Sequence, residues 1–143
     1  LEKGDHVLDI GSNDGTLLNC YPGENCVRVG IDPVAKKYLD LYPKGSKIVT
    51  DFFDKDNYFS VASQKAKIVT SISMFYDLED PLAFAKDISN ILHSNGVWVF
   101  EQSYLPAMLR QNSYDTICHE HLEYYSLSAI DKILEKAEMK IIG

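Results

Sequence analysis

Short apolar runs alternate with amphipathic stretches along the whole chain. His6-Val7-Leu8-Asp9-Ile10 ends at Gly11, which predicts a strand and then a tight turn. Residues 14–21 suit a short helix. Cys26 to Ile31 predicts a second strand, stopped by Asp32-Pro33, and Pro33 suits the first turn of a helix through 34–42. Strands three and four are predicted at 47–50 and 67–72. Residues 81–93 place Leu82, Ala85, Ile88, Ile91 and Leu92 at helical spacing, and Asn95-Gly96 ends that unit. A fifth strand follows at 96–101, a helix capped by Ser126 or Ser128 runs to about 137, and a sixth strand is predicted to begin at 139–142. Strands alternating with helices imply an α/β domain, with a mainly parallel sheet and helices on both faces. Ligands of such sheets bind at the carboxyl ends of the strands.

Three successive strand ends carry candidate chemistry. After the first strand, Gly11 and Gly15 permit a tight turn and close backbone approach to a ligand. The dinucleotide fingerprint G-x-G-x-x-G fails here, because Asn13 and Thr16 replace its second and third glycines. A ligand without a pyrophosphate fits better. Asp32, about twenty residues past the first glycine, is placed to accept ribose hydroxyls. Asp51 with Phe52 is suited to an adenine, the carboxylate accepting its amine and the ring packing on its face. Each feature has a plainer alternative. The glycines can serve the turn alone, Asp32 can cap the next helix, and Phe52 and Phe53 can be core. Together they point to a bound adenosine.

Length and charge narrow the partners. At 143 residues the chain is one domain by size, and its net charge of −7 without a Lys/Arg cluster argues against a nucleic-acid backbone as partner. No apolar run approaches the roughly 18 residues of a membrane span, and no signal peptide is visible. The three scattered cysteines (Cys20, Cys26, Cys118) form no C-x-x-C pair, which favours reduced thiols in a cytoplasmic protein over a zinc ribbon or disulfide framework.

The densest collection of proton-handling side chains lies at 114–127, YDTICHEHLEYYSL. Three readings are open from the residues. If 118–123 is extended, His119 and His121 share a face, but a closed zinc site needs four ligands and no partners are evident. If the segment is irregular, Glu120 can orient a neighbouring imidazole that acts as a base near neutral pH. The third reading is a polar loop that packs its tyrosines on the core. Tyr76 and Tyr104 follow strands four and five, where a substrate would sit, with structural packing as the plainer alternative for both, and Glu101 ends strand five toward the same crevice.

VLDIGSNDGTLL, VGIDP and TDFF resemble motifs of the class I S-adenosylmethionine-dependent methyltransferases. SISMFYDLEDPLAFAKDISNILHSNGVWVFEQSYL, followed by YDTICHEHLEYYSL, resembles the sugar-nucleotide C-methyltransferase family, which acts on 4-keto deoxysugars. The likeness covers nearly the whole chain and is most specific in the HEH segment. It implies a Rossmann-like, doubly wound fold and S-adenosyl-L-methionine as cofactor. It implies that Gly11, Asn13 and Gly15 line the methionine half with Asp9 beneath, that Asp32 meets the ribose, and that Asp51 and Phe52 meet the adenine. Ser71 and the residues after it would pass beside the sulfonium. The family's histidine base falls on His121, with Glu120 beside it and His119 in reserve. Some members carry Tyr where Cys118 stands, which leaves a hydroxyl role there without a bearer. Full-length members resemble a three-part protein with a zinc-binding segment before this domain and a further domain after it. Residues 1–143 open without Met and lack the antiparallel hairpin that completes the fold, so the expectation is a cofactor domain cut from its neighbours. An O- or N-methyltransferase of another small molecule, or a non-catalytic nucleoside-binding module, are the alternatives.

Overall fold

A computed structural model describes residues 1–142. Five strands form one sheet: β1 (Asp5–Ile10), β2 (Cys26–Ile31), β3 (Lys47–Val49), β4 (Ala66–Ile72) and β5 (Leu92–Glu101). They stand in the order β3-β2-β1-β4-β5, and every pairing is parallel. The chain winds outward from β1 in both directions, so the switch point lies between β1 and β4. That is where doubly wound sheets hold their ligands.

The α-helices are α1 (Thr16–Asn19), α2 (Lys55–Val61), α3 (Pro81–Ile91), α4 (Leu105–Gln111) and α5 (Leu127–Lys136). The two sheet faces differ in thickness. One face packs Leu8, Ile10, Val29, Ile31 and Val69 against Tyr58, Phe84, Ile88, Ile91, Ile130 and Leu134 from α2, α3 and α5. Phe75 joins them and touches four aromatic rings, with centroids 5.4–5.9 Å away. The other face gathers Val7, Leu18, Cys26, Ala35 and Tyr42 under short turns. No helix among the described residues is long and apolar enough to cross a membrane.

Local chemistry sets the helix ends. Asp54 caps α2 by accepting from the Asn57 amide at 2.6 Å, and Asp80 caps α3 by accepting from the Ala83 amide at 2.9 Å with Pro81 in the first turn. Ser126, not Ser128, caps α5 through the Ala129 amide. Several expectations change. The helix at 14–21 shrinks to the four residues of α1. The helix at 34–42 is two 3-10 turns, Ala35–Lys37 and Leu39–Leu41. Bonds three residues back, Lys37 to Val34 and Leu41 to Tyr38, tighten the backbone there, burying Ala35 and Tyr42 and exposing Leu39 and Leu41. The periodicity did not announce α2 or α4. Strand β5 begins at Leu92, and the Asn95-Gly96 turn survives as a bulge between the pairs Ala66–Leu92 and Ile68–Val97. Residues 139–142 form no strand: the Met139 amide instead closes the end of α5 on the Leu134 carbonyl at 2.9 Å. The three cysteines are free, with Cys26 buried and Cys20 and Cys118 exposed.

Candidate active site

The loop after β1 is held from both sides. The Gly11 amide donates to the Ile31 carbonyl (2.9 Å), the Asn13 amide to Asp32 Oδ2 (2.8 Å), and the Gly15 amide to the Ser12 carbonyl (2.7 Å). Asp32 Oδ1 accepts from the Val34 amide at 2.7 Å, so one carboxylate ties the β1 loop to the β2 loop. Below them, Tyr42 Oη donates to the Asn13 carbonyl at 2.8 Å. Its single proton is then spent, so Ser12 Oγ donates to Tyr42 across the other 2.8 Å contact. Gly11, Asn13 and Gly15 all sit at positive φ, and a Cβ on Gly15 would lie 2.7 Å from the Tyr42 ring. Glycine at 15 is therefore required twice, by conformation and by space.

Asp9 lies directly beneath, in the middle of the sheet. It is 4% exposed, and its Oδ1 accepts from Thr70 Oγ1 at 2.6 Å. Burial pushes its carboxyl up to about 6, the Thr70 bond opposes this, and the Asp32 charge adds to it. Asp51 and Phe52 follow β3. Both are exposed, Phe52 by 75%, while Phe53 turns inward onto Phe84 with ring centroids 5.1 Å apart. The alternative of Phe53 as core therefore holds, and Phe52 is free to meet a ligand. Ser71 is fully buried, and its Oγ accepts from Trp98 Nε1 at 2.9 Å. Its side chain faces the packed layer, which leaves Ile72 and Ser73 at the end of β4, Ser73 at positive φ with its amide on the Glu101 carbonyl.

The HEH segment returns to this rim. A bridge pairs Tyr104 with Tyr125, and the Glu123 amide donates to the Tyr76 carbonyl at 3.1 Å. His121 turns inward beneath Tyr76, ring centroids 4.2 Å apart. Its Nδ1 lies 2.7 Å from the Thr116 carbonyl, which also accepts from Tyr124 Oη at 3.2 Å. A carbonyl cannot donate, so Nδ1 carries a proton, and in the neutral imidazole the lone pair is then on Nε2. Asp77 is a neighbour: partial burial raises its carboxyl, His121 lowers it and Glu120 raises it. The expected pairing of Glu120 with His121 is not what forms. Glu120 Oε1 lies 3.1 Å from His119 Nε2, with the His119 side chain 91% exposed. The expected orienting carboxylate is replaced by a backbone carbonyl. Ser12, Tyr42, Thr70, Asp77 and Thr116 were not marked by the sequence pattern.

The family model for the methyltransferase domain matches residues 1–142. The chain belongs to the methyltransferase-domain family. Its fold is that of the class I, S-adenosylmethionine-dependent methyltransferases, as the order of its sheet and the resemblance in its motifs led us to expect. A relative in this methyltransferase group, the C-methyltransferase NovU of Streptomyces niveus, is 26% identical over 144 residues, covering 99% of this chain and 34% of the relative. The chain thus spans about a third of that protein's length. Solved structures share the fold. LepI in complex with SAM superposes with a TM-score of 0.72 at 18% identity, over 99% of this chain and 39% of LepI. The cyclopropane synthase MmaA2 of Mycobacterium tuberculosis gives 0.65 at 14%, over 96% of this chain and 55% of that one.

Proposed function

We propose that this methyltransferase domain binds S-adenosyl-L-methionine and, in its complete protein, methylates a carbon of a nucleotide-linked keto-deoxysugar with His121 as base. When bound, the cofactor supplies an electrophilic methyl group on a cationic sulfur. The residues present fit it. The cradle at Gly11–Gly15 admits a close backbone contact, and Asp32 spends two acceptor positions on Asn13 and Val34, leaving further lone pairs for a ribose. Phe52 offers an unobstructed ring and Asp51 an acceptor beside it.

The observation that carries the catalytic half is the His121 tautomer. Carbon methylation next to a carbonyl requires loss of the proton on that carbon, giving an enolate nucleophile. Bonded to the Thr116 carbonyl, the neutral imidazole carries its proton on Nδ1 and keeps Nε2 as the acceptor, and the Tyr76 ring packs against its face. Nε2 takes the proton, and the Thr116 carbonyl steadies the resulting imidazolium through Nδ1–H. Glu120 has no part in this and keeps His119 company at the surface. The C-methyltransferase name of the NovU relative supports carbon as the acceptor. Oxygen and nitrogen already carry a lone pair, whereas a carbon beside a carbonyl becomes nucleophilic only after losing its proton, so turnover that survives loss of His121 would favour an O- or N-methyltransferase. The segments that hold the sugar nucleotide are assigned to the rest of the protein, beside the exposed Leu109, Tyr114, Ile117 and Leu122.

Calorimetry tests the cofactor site. Wild-type domain should bind S-adenosylmethionine, and Asp32→Ala should bind it at least about tenfold more weakly, a loss of roughly 1.4 kcal/mol. Unchanged affinity in the variant would remove Asp32 from the site.

A further inference from the structure

Asp9 is a carboxylate in an unusual position. It sits in the central strand at 4% exposure, with one hydrogen-bond donor, Thr70 Oγ1 at 2.6 Å. Among the described residues no Lys, Arg or His lies within ion-pair distance of it. The groups facing it add no positive charge. Asp32 approaches from the end of β2, Tyr21 from beyond α1, Tyr42 from the second 3-10 turn, and Thr70 from β4. Asp14 bears on Tyr42 from the loop above. An ionised Asp9 is therefore uncompensated, and with Asp32 it makes a pair of nearly buried acids under the glycine loop. Burying an unpaired carboxylate is costly, so the group keeps its proton to higher pH.

We propose that cofactor binding at this site expels the Asp9 proton: the free domain holds Asp9 as the neutral acid over the mildly acidic range, and the cationic cofactor binds to its carboxylate form. The inference rests on the cofactor reading above. S-adenosylmethionine carries an ammonium, a sulfonium and a carboxylate, and so brings one net positive charge to a rim whose nearest buried groups are acids. Its positive charge supplies the compensation that the protein withholds. The balance is simple: the Asp9 O–H bond breaks, the proton passes to solvent buffer, and the carboxylate remains opposite the cation. Affinity then rises with pH through the titration of Asp9, which lies at about 6 in the free domain, and levels off above it.

The coupling has a direct readout. Titrate the domain with S-adenosylmethionine at pH 6 in buffers of differing ionisation enthalpy. The slope of apparent heat against buffer enthalpy counts protons released. About half a proton should appear per cofactor at pH 6, falling toward zero at pH 8. Asp9→Asn should bind with no release at either pH. Thr70→Val, which removes the bond that favours the ionised form, should shift the release to higher pH. The Asp9 side-chain carbon resonance of wild type, followed by NMR with and without cofactor, gives the same answer without a variant. Binding without proton release, or equal release from Asp9→Asn, overturns the proposal and leaves the cofactor site standing. No binding at pH 8 overturns the cofactor site and this proposal with it.

Discussion

The loop at 11–15, after β1, and the loop at 112–125, tied to Tyr76 and Tyr104 after β4 and β5, are built in opposite ways. In the first, three backbone amides, two hydroxyls and a carboxylate close a ring of bonds of 2.7–2.9 Å over buried groups. In the second, His121 and Tyr124 converge on a single carbonyl, while Tyr114, Ile117 and Leu122 stand half or more exposed. The lesson is a division of labour. A cradle for a cofactor common to many reactions is fixed by the fold. The proposed base, His121, hangs on few contacts by comparison. Parts of a protein with few buried contacts open most easily.

The largest difference between the two loops should be chemical. His121→Gln in the complete protein should lower methyl transfer to a nucleotide-linked keto sugar by at least about 100-fold, the lower end of general-base contributions. His119→Gln should stay within about threefold, since its ring lies in solvent and an exposed change costs little. Equal losses from both would undo the assignment of the inward imidazole. The next effect is on stability. Gly15→Ala combines a left-handed backbone with a Cβ placed 2.7 Å from the Tyr42 ring. It should cost about 2–4 kcal/mol in urea unfolding, strain and overpacking together. Asn112 also has positive φ but ends α4 at the surface, and Asn112→Ala should cost about 1 kcal/mol. Similar midpoints for the two variants would erase the contrast.

These differences were unequally visible in the sequence. The five strands read plainly as short, nearly continuous apolar runs, the first two closed by Gly11 and by Asp32-Pro33. Asp32 was legible for the same reason, standing directly after a strand. Tyr42 was not, because its partners Ser12 and Asn13 are 30 and 29 residues away and only folding brings them together. The same blindness hid Thr70 under Asp9, 61 residues apart. Glu120 was mistaken for the partner of His121 because sequence neighbours invite pairing. The irregular turn at 119–120 instead sends Glu120 out with His119, and a carbonyl five residues back takes the imidazole. Residues 139–142 have strand-like composition, but no neighbouring strand among the described residues offers them a ladder. Propensity alone does not make a strand.

Two smaller changes sharpen the contrast. Tyr42→Phe keeps the ring and removes the hydroxyl that Ser12 and Asn13 both use. Ser12 is 4% exposed, so its hydroxyl loses its acceptor away from water. The cost should be about 1–2 kcal/mol by urea unfolding, with a weaker affinity for S-adenosylmethionine as the loop loosens. A variant as stable as wild type would mean that water or a new rotamer replaces the bond, and the cradle would be less rigid than its distances suggest.

Glu120→Gln should have the smallest effect of all. The carboxylate faces His119 at 3.1 Å with both side chains largely in solvent, where such pairs contribute little and are screened by salt. Stability should change by less than about 0.5 kcal/mol. The rate of methyl transfer and its dependence on pH should match wild type, because the Thr116 carbonyl, not Glu120, holds the proton on His121 Nδ1. A displaced pH–rate profile in Glu120→Gln would mean that the carboxylate swings onto His121 when substrate binds. The outer loop would then complete its base only in the full complex, whereas the cradle at 11–15 stands ready beforehand.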